Sequence, residues 1–237
     1  MAELEERMWW YLALHRNLLF VLKRSLLNVR GPVLDAGCGT GGLLAFLRPA
    51  FPGMQVVGLD LYRNAAISTR TKSGSRVVVG SVNELPFRDS TFTGIVSADV
   101  MYHRWAYPTK MAREALRCLK EEGIFVVQVP AFDWLRGPHD ERVYTERRYT
   151  RSSLIRILRE TGFQVSYCTY WNTLLFPLMI LRRKVFQSRN RDSDVRAYPP
   201  LIEAVFRSVM VVERGLLHIG FRLPFGGSIL AVGVKHG

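Results

Sequence analysis

The sequence predicts a doubly wound α/β fold of the Rossmann-like type, and three observations support that prediction. Short runs of aliphatic and β-branched residues alternate with segments of helical periodicity, as expected of βαβ units and a parallel sheet. A glycine-rich turn directly follows the first of these runs. The chain has 237 residues, of which 48% are hydrophobic, and this is enough for one α/β domain with a sizeable core.

The segment ahead of the core is predicted to form an amphipathic helix over residues 3–28. Met8, Leu12 and Leu19 recur at helical spacing, with charged side chains between them. Such a helix needs an apolar surface to cover. We therefore interpret residues 1–30 as an N-terminal helical cap.

The core itself is predicted over residues 31–170. Its first five strand candidates are 33–35, 55–60, 76–79, 94–98 and 123–129. The helix candidates between those strands are 43–47, 62–71 and 110–119. A helix over 152–161, with Gly162 as its stop signal, leads to a further strand that begins at Phe163.

A stretch of different character follows this core. Residues 171–225 contain an apolar run at 174–181, a polar link with prolines at 188–200 and a helical pattern at 201–217. We interpret this stretch as a helical lid inserted late in the sheet. Residues 226–237 then supply the final strand of the core.

The chain is strongly basic, with a formal net charge of +13. Such a charge attracts nucleic acid, an anionic membrane surface or an acidic substrate. No nucleic-acid-binding motif accompanies the charge, which argues against a nucleic-acid partner, and a solvated basic surface is the simpler interpretation. No uninterrupted apolar run reaches the roughly 18 residues that cross a bilayer, and the N-terminus lacks the layout of a secretory signal.

The three cysteines, Cys38, Cys118 and Cys168, are odd in number and far apart in the sequence. Their spacing matches neither a disulfide framework nor a set of metal ligands. The cysteine pattern therefore predicts a protein of the reducing cytoplasm without a metal site.

The glycine-rich turn is the first segment that predicts chemistry. Gly37, Gly39 and Gly41 follow the first strand and precede a helix, so the backbone can turn tightly and a ligand can approach it closely. Gly42 completes the spacing typical of dinucleotide sites as well, which leaves two cofactors open. Asp35 favours S-adenosylmethionine, because its carboxylate would repel a pyrophosphate but would stabilise an ammonium and a sulfonium group.

A second acid, Asp60, ends the second strand about twenty residues beyond the glycines. A carboxylate at this place can accept hydrogen bonds from both ribose hydroxyls of a nucleoside, and this suits either cofactor. The alternative is that Asp60 only caps the helix that follows.

Four segments together resemble the class I S-adenosylmethionine-dependent methyltransferases. They are VLDAGCGTGG at 33–42, VVGLD at 56–60, ELPFRDSTF at 84–92 and DVMYH at 99–103. HDE at 139–141, RRYT at 147–150 and NTLLFP at 172–177 are similar to a bacterial subgroup of that class. The resemblance implies a seven-stranded sheet with its last strand antiparallel, S-adenosylmethionine as cofactor and S-adenosylhomocysteine as product.

The resemblance also implies which residues hold the cofactor. Asp35, Gly37 and Gly39 would line its methionyl end, Asp60 and Leu61 its ribose and adenine, and Ser81 and Val82 the adenine edge, with Gly41 and Ala98 as further contacts. Ser81 stands where the family usually has an acid that accepts from the adenine amino group. A serine hydroxyl can still bond there, so we expect weaker binding rather than none.

Methyl transfer is an in-line displacement, so positioning of the reactants supplies most of the acceleration. His103 is the first candidate for a general base, and Tyr102 for orienting an acceptor. His139 belongs to a polar cluster, 139–149, that would form a rim for a small-molecule acceptor methylated on oxygen or nitrogen. A packed histidine and an ion-paired loop are the respective structural alternatives.

Two other functions stay open at this point. The glycine spacing also fits a nicotinamide-dependent oxidoreductase. A binding protein that kept a methyltransferase fold but lost catalysis is the other alternative, with peripheral membrane contact through the apolar and basic run 171–185. A buried cap helix would show the same pattern, and the sequence does not predict an oligomeric state.

Overall fold

A computed structural model describes residues 7–26, 31–184 and 198–236. Seven strands form one sheet in the spatial order β3-β2-β1-β4-β5-β7-β6. The strands are β1 Val33–Ala36, β2 Val56–Asp60, β3 Arg76–Val79, β4 Phe92–Ala98, β5 Leu119–Pro130, β6 Phe163–Trp171 and β7 Ser228–Lys235.

Helices connect and cover these strands. They are α1 Trp9–Ser25, α2 Gly42–Leu47, α3 Arg63–Ser73, α4 Pro108–Cys118, α5 Pro138–Arg142, α6 Arg151–Glu160, α7 Phe176–Lys184 and α8 Pro200–His218. Single 3₁₀ turns lie at Arg48–Ala50 and Asp133–Leu135. The predicted helix 3–28 is thus interrupted at Met8, whose ψ of 130° is extended, and α1 runs from Trp9 to Ser25, while 3–6 and 27–28 lie outside the described residues.

Strands β1 to β5 run parallel, and β7 is antiparallel to both β5 and β6. This confirms the predicted Rossmann-like sheet of seven strands with an antiparallel last strand. A dinucleotide-binding sheet has six parallel strands in the order 3-2-1-4-5-6, so the two architectures differ at the β7 position. The reversed last strand therefore separates this sheet from the dinucleotide-binding type.

The sheet is buried on both faces where the ligand-binding edge is built. All residues of β1 and β2 are buried, including the polar side chains of Asp35 and Asp60. Parallel strands covered by helices on both faces read as continuous apolar runs, which is why the sequence pattern located them. An aspartate in such a run is expensive to bury, so its place at the carboxyl end of a strand indicates a function.

Helix α1 packs as a lid on the sheet and on α8. Leu18 and Leu22 on α1 are fully buried, and the rings of Trp9 and Phe206 meet edge to face with centroids 5.3 Å apart. Helices α7 and α8, which we call the cap helices, lie between β6 and β7 in the sequence. Within the described residues no helix is long and apolar enough to cross a membrane.

Candidate functional site

A cavity of about 1350 Å³ opens at the carboxyl ends of β1, β2 and β4. The loops after these strands line one side of it, α1 lines a second side, and the cap helices line a third. Ligands of open α/β sheets bind in this crevice beyond the carboxyl ends of the strands. Pockets for a single small molecule measure roughly 300–1,000 Å³, so this cavity is large enough for more than one small ligand.

The glycine turn forms the floor of this cavity. Gly37 and Gly39 line the cavity and have φ angles of 93° and 54°, which side chains rarely adopt. A Cβ at Gly37 would lie 2.2 Å from Cγ2 of Val100, so the loop after β4 can approach only a glycine here. Gly41 is buried and does not line the cavity, and its φ of 87° sets the start of α2.

Asp60 ties the glycine turn to the second strand. One carboxylate oxygen accepts the N–H of Gly39 at 2.9 Å, and the other accepts the N–H of Tyr62 at 2.9 Å. A carboxylate has about four acceptor sites, so each oxygen can take a further hydrogen bond from a ligand hydroxyl. Asp60 therefore fixes the turn between β2 and α3 through Tyr62, the N-cap residue of α3, and also lines the cavity, and its binding of ribose hydroxyls stays a prediction.

The other predicted cofactor positions surround the same cavity. Asp35, Leu61, Ser81, Val82 and Ala98 all line it. The hydroxyl oxygen of Ser81 accepts the N–H of Asn83 at 3.1 Å, so its proton remains for a ligand acceptor. The residues present fit S-adenosylmethionine in their chemistry, because carboxylates suit its ammonium group and ribose hydroxyls, glycines leave room beside the backbone, and a hydroxyl suits its adenine.

Tyr102 and His103 lie in the wall of the cavity, and their rings are 4.4 Å apart. Burial raises the pKa of Tyr102 well above its ordinary value, so the phenol stays protonated and can donate. Burial also lowers the pKa of His103, while the backbone at Val143 and Asp99 acts in the opposite direction. The side chain of His139, the third predicted catalytic residue, lies outside the described part of the chain.

Asp99 is a wall residue that the sequence analysis did not single out. It follows β4 directly, has a left-handed φ of 56° and donates its N–H to the carbonyl of Gln128 at 3.1 Å. Burial raises the pKa of its carboxyl to about 7, and the Arg148 guanidinium and Gln128 amide act in the opposite direction. The rule that located Asp35 and Asp60, an acid at the carboxyl end of a buried strand, would have found Asp99 too.

The predicted polar cluster 139–149 is an ion-paired loop that also reaches the cavity. Arg148 holds Asp140 through two hydrogen bonds, Nε to Oδ1 at 2.8 Å and Nη2 to Oδ2 at 3.0 Å, and both side chains line the cavity. Arg148 also donates to the carbonyl of Ala131 at 3.0 Å. Arg147 and the Tyr149 hydroxyl instead bond backbone carbonyls of the loop after β4. The Arg148–Asp140 pair thus belongs to an ion-paired loop and also lines the cavity, and its role as a rim for an acceptor stays a prediction.

The acceptor side of the cavity is apolar and aromatic. Trp10, Tyr11 and Leu14 of α1 face Leu175 and Met179 of the cap across it. The rings of Trp10 and the buried Trp171 stack with centroids 5.6 Å apart, which fixes the α1 wall against β6.

His15 also lines the acceptor side. Burial, helped by the charge of Lys72, lowers its pKa to about 4, so this imidazole is neutral near pH 7. Among the described residues no group of three or more His, Cys, Asp or Glu side chains could hold a metal ion.

Residues 34–127 match the family model described as a methyltransferase domain. The match runs from β1 into β5 and includes the glycine turn and Asp60. These residues are therefore similar to a methyltransferase domain, and they include the loops that line the cavity beyond the carboxyl ends of β1, β2 and β4.

Two curated relatives match this domain. An uncharacterised protein of Methanocaldococcus jannaschii is 36% identical over 98 residues, which are 41% of this chain and 36% of that protein. A demethylmenaquinone methyltransferase of Thermotoga maritima is 29% identical over 96 residues, which are 40% of this chain and 42% of that protein. The chain thus spans less than half the length of these two relatives.

A solved structure is similar over nearly the whole chain. Geranyl diphosphate C-methyltransferase from Streptomyces coelicolor A3(2), in complex with Mg²⁺, geranyl diphosphate and S-adenosyl-L-homocysteine, matches with a TM-score of 0.64. Its sequence is 15% identical, and the match covers 93% of this chain and 79% of that one. This likeness shows the class I methyltransferase fold. The bacterial subgroup resemblance rests on 139–150 and 172–177, outside the matched domain, and stays a prediction.

Proposed function

We propose that the chain transfers a methyl group from S-adenosylmethionine to an oxygen or nitrogen of an apolar small-molecule acceptor. One observation carries the proposal. The carboxylate of Asp60, bonded to Gly39, lines the same cavity as Asp35, at the carboxyl ends of two neighbouring strands. Two carboxylates suit a ligand that has ribose hydroxyls and cationic groups, and they repel a pyrophosphate. The glycine turn beside them lets such a ligand approach the backbone closely.

The cofactor side of the cavity supplies binding and orientation. Asp35 offers negative charge to an ammonium group, Asp60 offers acceptor sites to ribose hydroxyls, and Ser81 offers a hydroxyl to an adenine. Gly37 and Gly39 let the ligand lie directly on the backbone. When bound, S-adenosylmethionine would supply an activated methyl group that needs only a positioned nucleophile.

Three side chains of the cavity wall support proton transfer from the acceptor. Asp99 holds a carboxyl whose burial raises its pKa to about 7, and His103 holds an imidazole whose burial lowers its pKa. Either group can therefore accept a proton from an O–H or N–H acceptor near neutral pH. The protonated phenol of Tyr102 is suited to orient that acceptor. His139 remains a further candidate from the sequence.

The acceptor class is inferred from the other half of the cavity. Its walls are apolar side chains of α1, α7 and α8, which favour a ligand with a substantial hydrocarbon part. Arg148 and Asp140 add a polar, ion-paired part to the lining of the same cavity. Two similar proteins have names that contain demethylmenaquinone and geranyl diphosphate, both with isoprenoid character, and they support an apolar acceptor.

A cytoplasmic location remains part of the proposal. Cys38, Cys118 and Cys168 are all free and buried. Burial raises the pKa of the Cys38 thiol to about 12 and those of Cys118 and Cys168 to about 11. Buried thiols of high pKa are unreactive, which agrees with packing roles in a reducing compartment.

The test has two stages. Calorimetric titration with S-adenosylhomocysteine should show saturable binding that Asp60→Asn weakens, and a fluorescence titration with NADH should show none. Protein incubated with methyl-labelled S-adenosylmethionine and a cell extract should then transfer label into organic-solvent-soluble small molecules. Binding of NADH alone would replace the proposal by an oxidoreductase. Cofactor binding without label transfer to any fraction would favour a binding protein on this fold.

A further inference from the structure

Helix α8 carries an apolar stripe on the side that faces solvent. Leu201, Val205, Val212 and Ile219 follow one another at helical spacing and are 78%, 51%, 61% and 73% exposed. Phe221, just beyond the helix, is 60% exposed. By the same spacing Ser208 and Gly215 lie between these aliphatic side chains, and a cluster of exposed large apolar side chains on one side of a helix marks a surface that binds another molecule or a membrane.

The opposite side of α8 carries the carboxylates. Glu203 and Glu213 are both buried beneath the helix. Glu203 accepts the N–H of Trp9 at 2.8 Å, and Glu213 accepts the N–H of Thr173 at 2.7 Å. A helix that only covers a protein core is apolar inside and polar outside. In α8 the two carboxylates lie on the buried side, and several large aliphatic side chains lie on the exposed side. Core packing alone therefore does not account for the exposed side of the helix.

The charged side chains near this stripe are mostly positive. Within the described residues 171–183 and 198–225, Glu203 and Glu213 are the only carboxylate side chains, and the other fixed charges are arginines: Arg182, Arg183, Arg207, Arg214 and Arg222. By helical spacing, Arg207 and Arg214 lie on the side of α8 away from the stripe, where Arg207 pairs with Glu203 at 3.8 Å, while Arg222 is exposed beside Phe221. Within these ranges the segment is net positive and both carboxylates are buried, and an exposed apolar face on such a segment suits an anionic lipid interface.

The stripe continues into the mouth of the cavity. Ile202, next to the stripe on α8, is 38% exposed and also lines the cavity. Leu178 and Leu181 of α7 are 48% and 45% exposed and line the same mouth. Helix α7 is thus only partly buried, whereas the simpler sequence interpretation was a buried cap helix. The exposed stripe and the apolar lining of the cavity thus meet at Ile202, although Arg182 and Tyr198 also line the cavity in this region.

We infer that the outer face of α8, together with residues 219–222, docks on an anionic lipid membrane surface and turns the mouth of the cavity toward it. Charge favours this occupant over a second copy of the chain, because a net positive segment is attracted by an anionic surface and repelled by another copy of itself. Docking needs no cofactor and no methyl transfer, so it stands or fails separately from the proposed function.

Vesicle flotation tests the inference with the full-length chain. One set of vesicles contains phosphatidylcholine alone, and the other contains phosphatidylcholine mixed with phosphatidylglycerol. The stripe variant is Leu201→Ser with Ile219→Ser, and its matched control is Ile67→Ser with Val79→Ser. Ile67 and Val79 are 56% and 52% exposed and line no part of the cavity. Arg222→Gln tests the contribution of charge.

We expect the wild-type chain to float with the anionic vesicles and to bind phosphatidylcholine vesicles more weakly, with salt reducing the difference. The stripe variant should lose at least about tenfold in partitioning, since two large aliphatic side chains no longer enter the interface. Arg222→Gln should lose a few-fold, as expected of one cation at an anionic surface. The Ile67 and Val79 control should behave as the wild type.

Two readouts keep the result interpretable. Binding of S-adenosylhomocysteine, measured by calorimetry, should be the same in all variants, which separates loss of docking from loss of the fold or of the cofactor site. Equal flotation of the stripe variant and the control would overturn the inference. So would light scattering that shows a wild-type dimer which the stripe variant dissociates, because the face would then bind a second copy.

Discussion

The carboxylate of Glu213 accepts the backbone N–H of Thr173 at 2.7 Å and so joins the middle of α8 to the start of the other cap helix. The same carboxylate accepts the N–H groups of Asn172 at 2.5 Å and Leu174 at 2.9 Å. These three N–H groups belong to the turn between β6 and α7, and backbone donors of a buried turn need an acceptor, which the carboxylate supplies. This one side chain therefore holds the cap helices in the arrangement that closes the acceptor side of the cavity.

Glu213→Ala should destabilise the protein by about 3 kcal/mol or more, because each buried donor left without an acceptor costs roughly 1–3 kcal/mol. Urea unfolding followed by circular dichroism measures the change. Glu160→Ala, which removes an exposed carboxylate on α6, is the control and should leave the unfolding midpoint almost unchanged. Equal midpoints for the two variants would show that Glu213 does not hold the cap.

Asp60→Asn should weaken binding of S-adenosylhomocysteine by about a hundredfold. The amide nitrogen cannot accept the N–H of Gly39 or Tyr62, and it offers fewer acceptor sites to ribose hydroxyls. Hydrogen bonds to a charged group contribute roughly 1.5–3 kcal/mol each, which corresponds to this change in affinity. Calorimetry measures it, with Glu160→Gln as the charge-matched control. An unchanged dissociation constant would remove Asp60 from the cofactor site.

Ser81→Asp should strengthen binding of S-adenosylhomocysteine several-fold. A carboxylate can keep the turn by accepting the N–H of Asn83, and its second oxygen can accept from an adenine amino group. Ser81→Ala loses both contacts and should bind more weakly than the wild type. The order of affinity expected from calorimetry is Asp, then Ser, then Ala. If Ala binds as well as Ser, the adenine does not reach this position.

Asp99→Asn should change the pH dependence of stability. The pKa of this carboxyl is about 7 in the folded protein against an ordinary value of 3.8, so the folded state holds a proton that the unfolded state releases. Stability therefore falls as the pH rises from about 4 to about 7 and is level above that. The Asp99→Asn variant does not lose stability in this way. The thermal midpoint of the variant minus that of the wild type should therefore be larger at pH 8 than at pH 4.

Thermal unfolding of both proteins at several pH values measures this difference directly. Subtracting the wild-type midpoint from that of the variant at each pH removes the contribution of Glu213. Burial raises the pKa of Glu213 as well, and this effect is the same in both proteins. A difference between wild type and Asp99→Asn that is the same at pH 4 and pH 8 would mean that Asp99 ionises as it does in water. It could then not serve as a base tuned near neutral pH.

The cofactor side of the cavity was largely predictable from the sequence, because its determinants are local. A glycine turn after an apolar strand and an acid at the end of the next strand are separated by few residues, and strand ends of a parallel sheet meet at one edge. The sequence alone therefore predicts that Gly37, Gly39 and Asp60 lie together. Asp99 obeys the same rule, and its neighbour in the sequence, Val100, explains through its contact with Gly37 why that glycine is needed.

The acceptor side depended on contacts between residues far apart in the sequence. Glu213 and Thr173 are forty residues apart, and Glu203 and Trp9 are 194 apart. Helical periodicity predicted α1 and α8 but not which face of each is buried, because a face is defined by its partner. For α8 the tertiary structure reversed the usual rule, with carboxylates inside and aliphatic side chains outside. Local sequence thus determined the fold and the cofactor side, and long-range packing decided the acceptor cavity and its exposed apolar mouth.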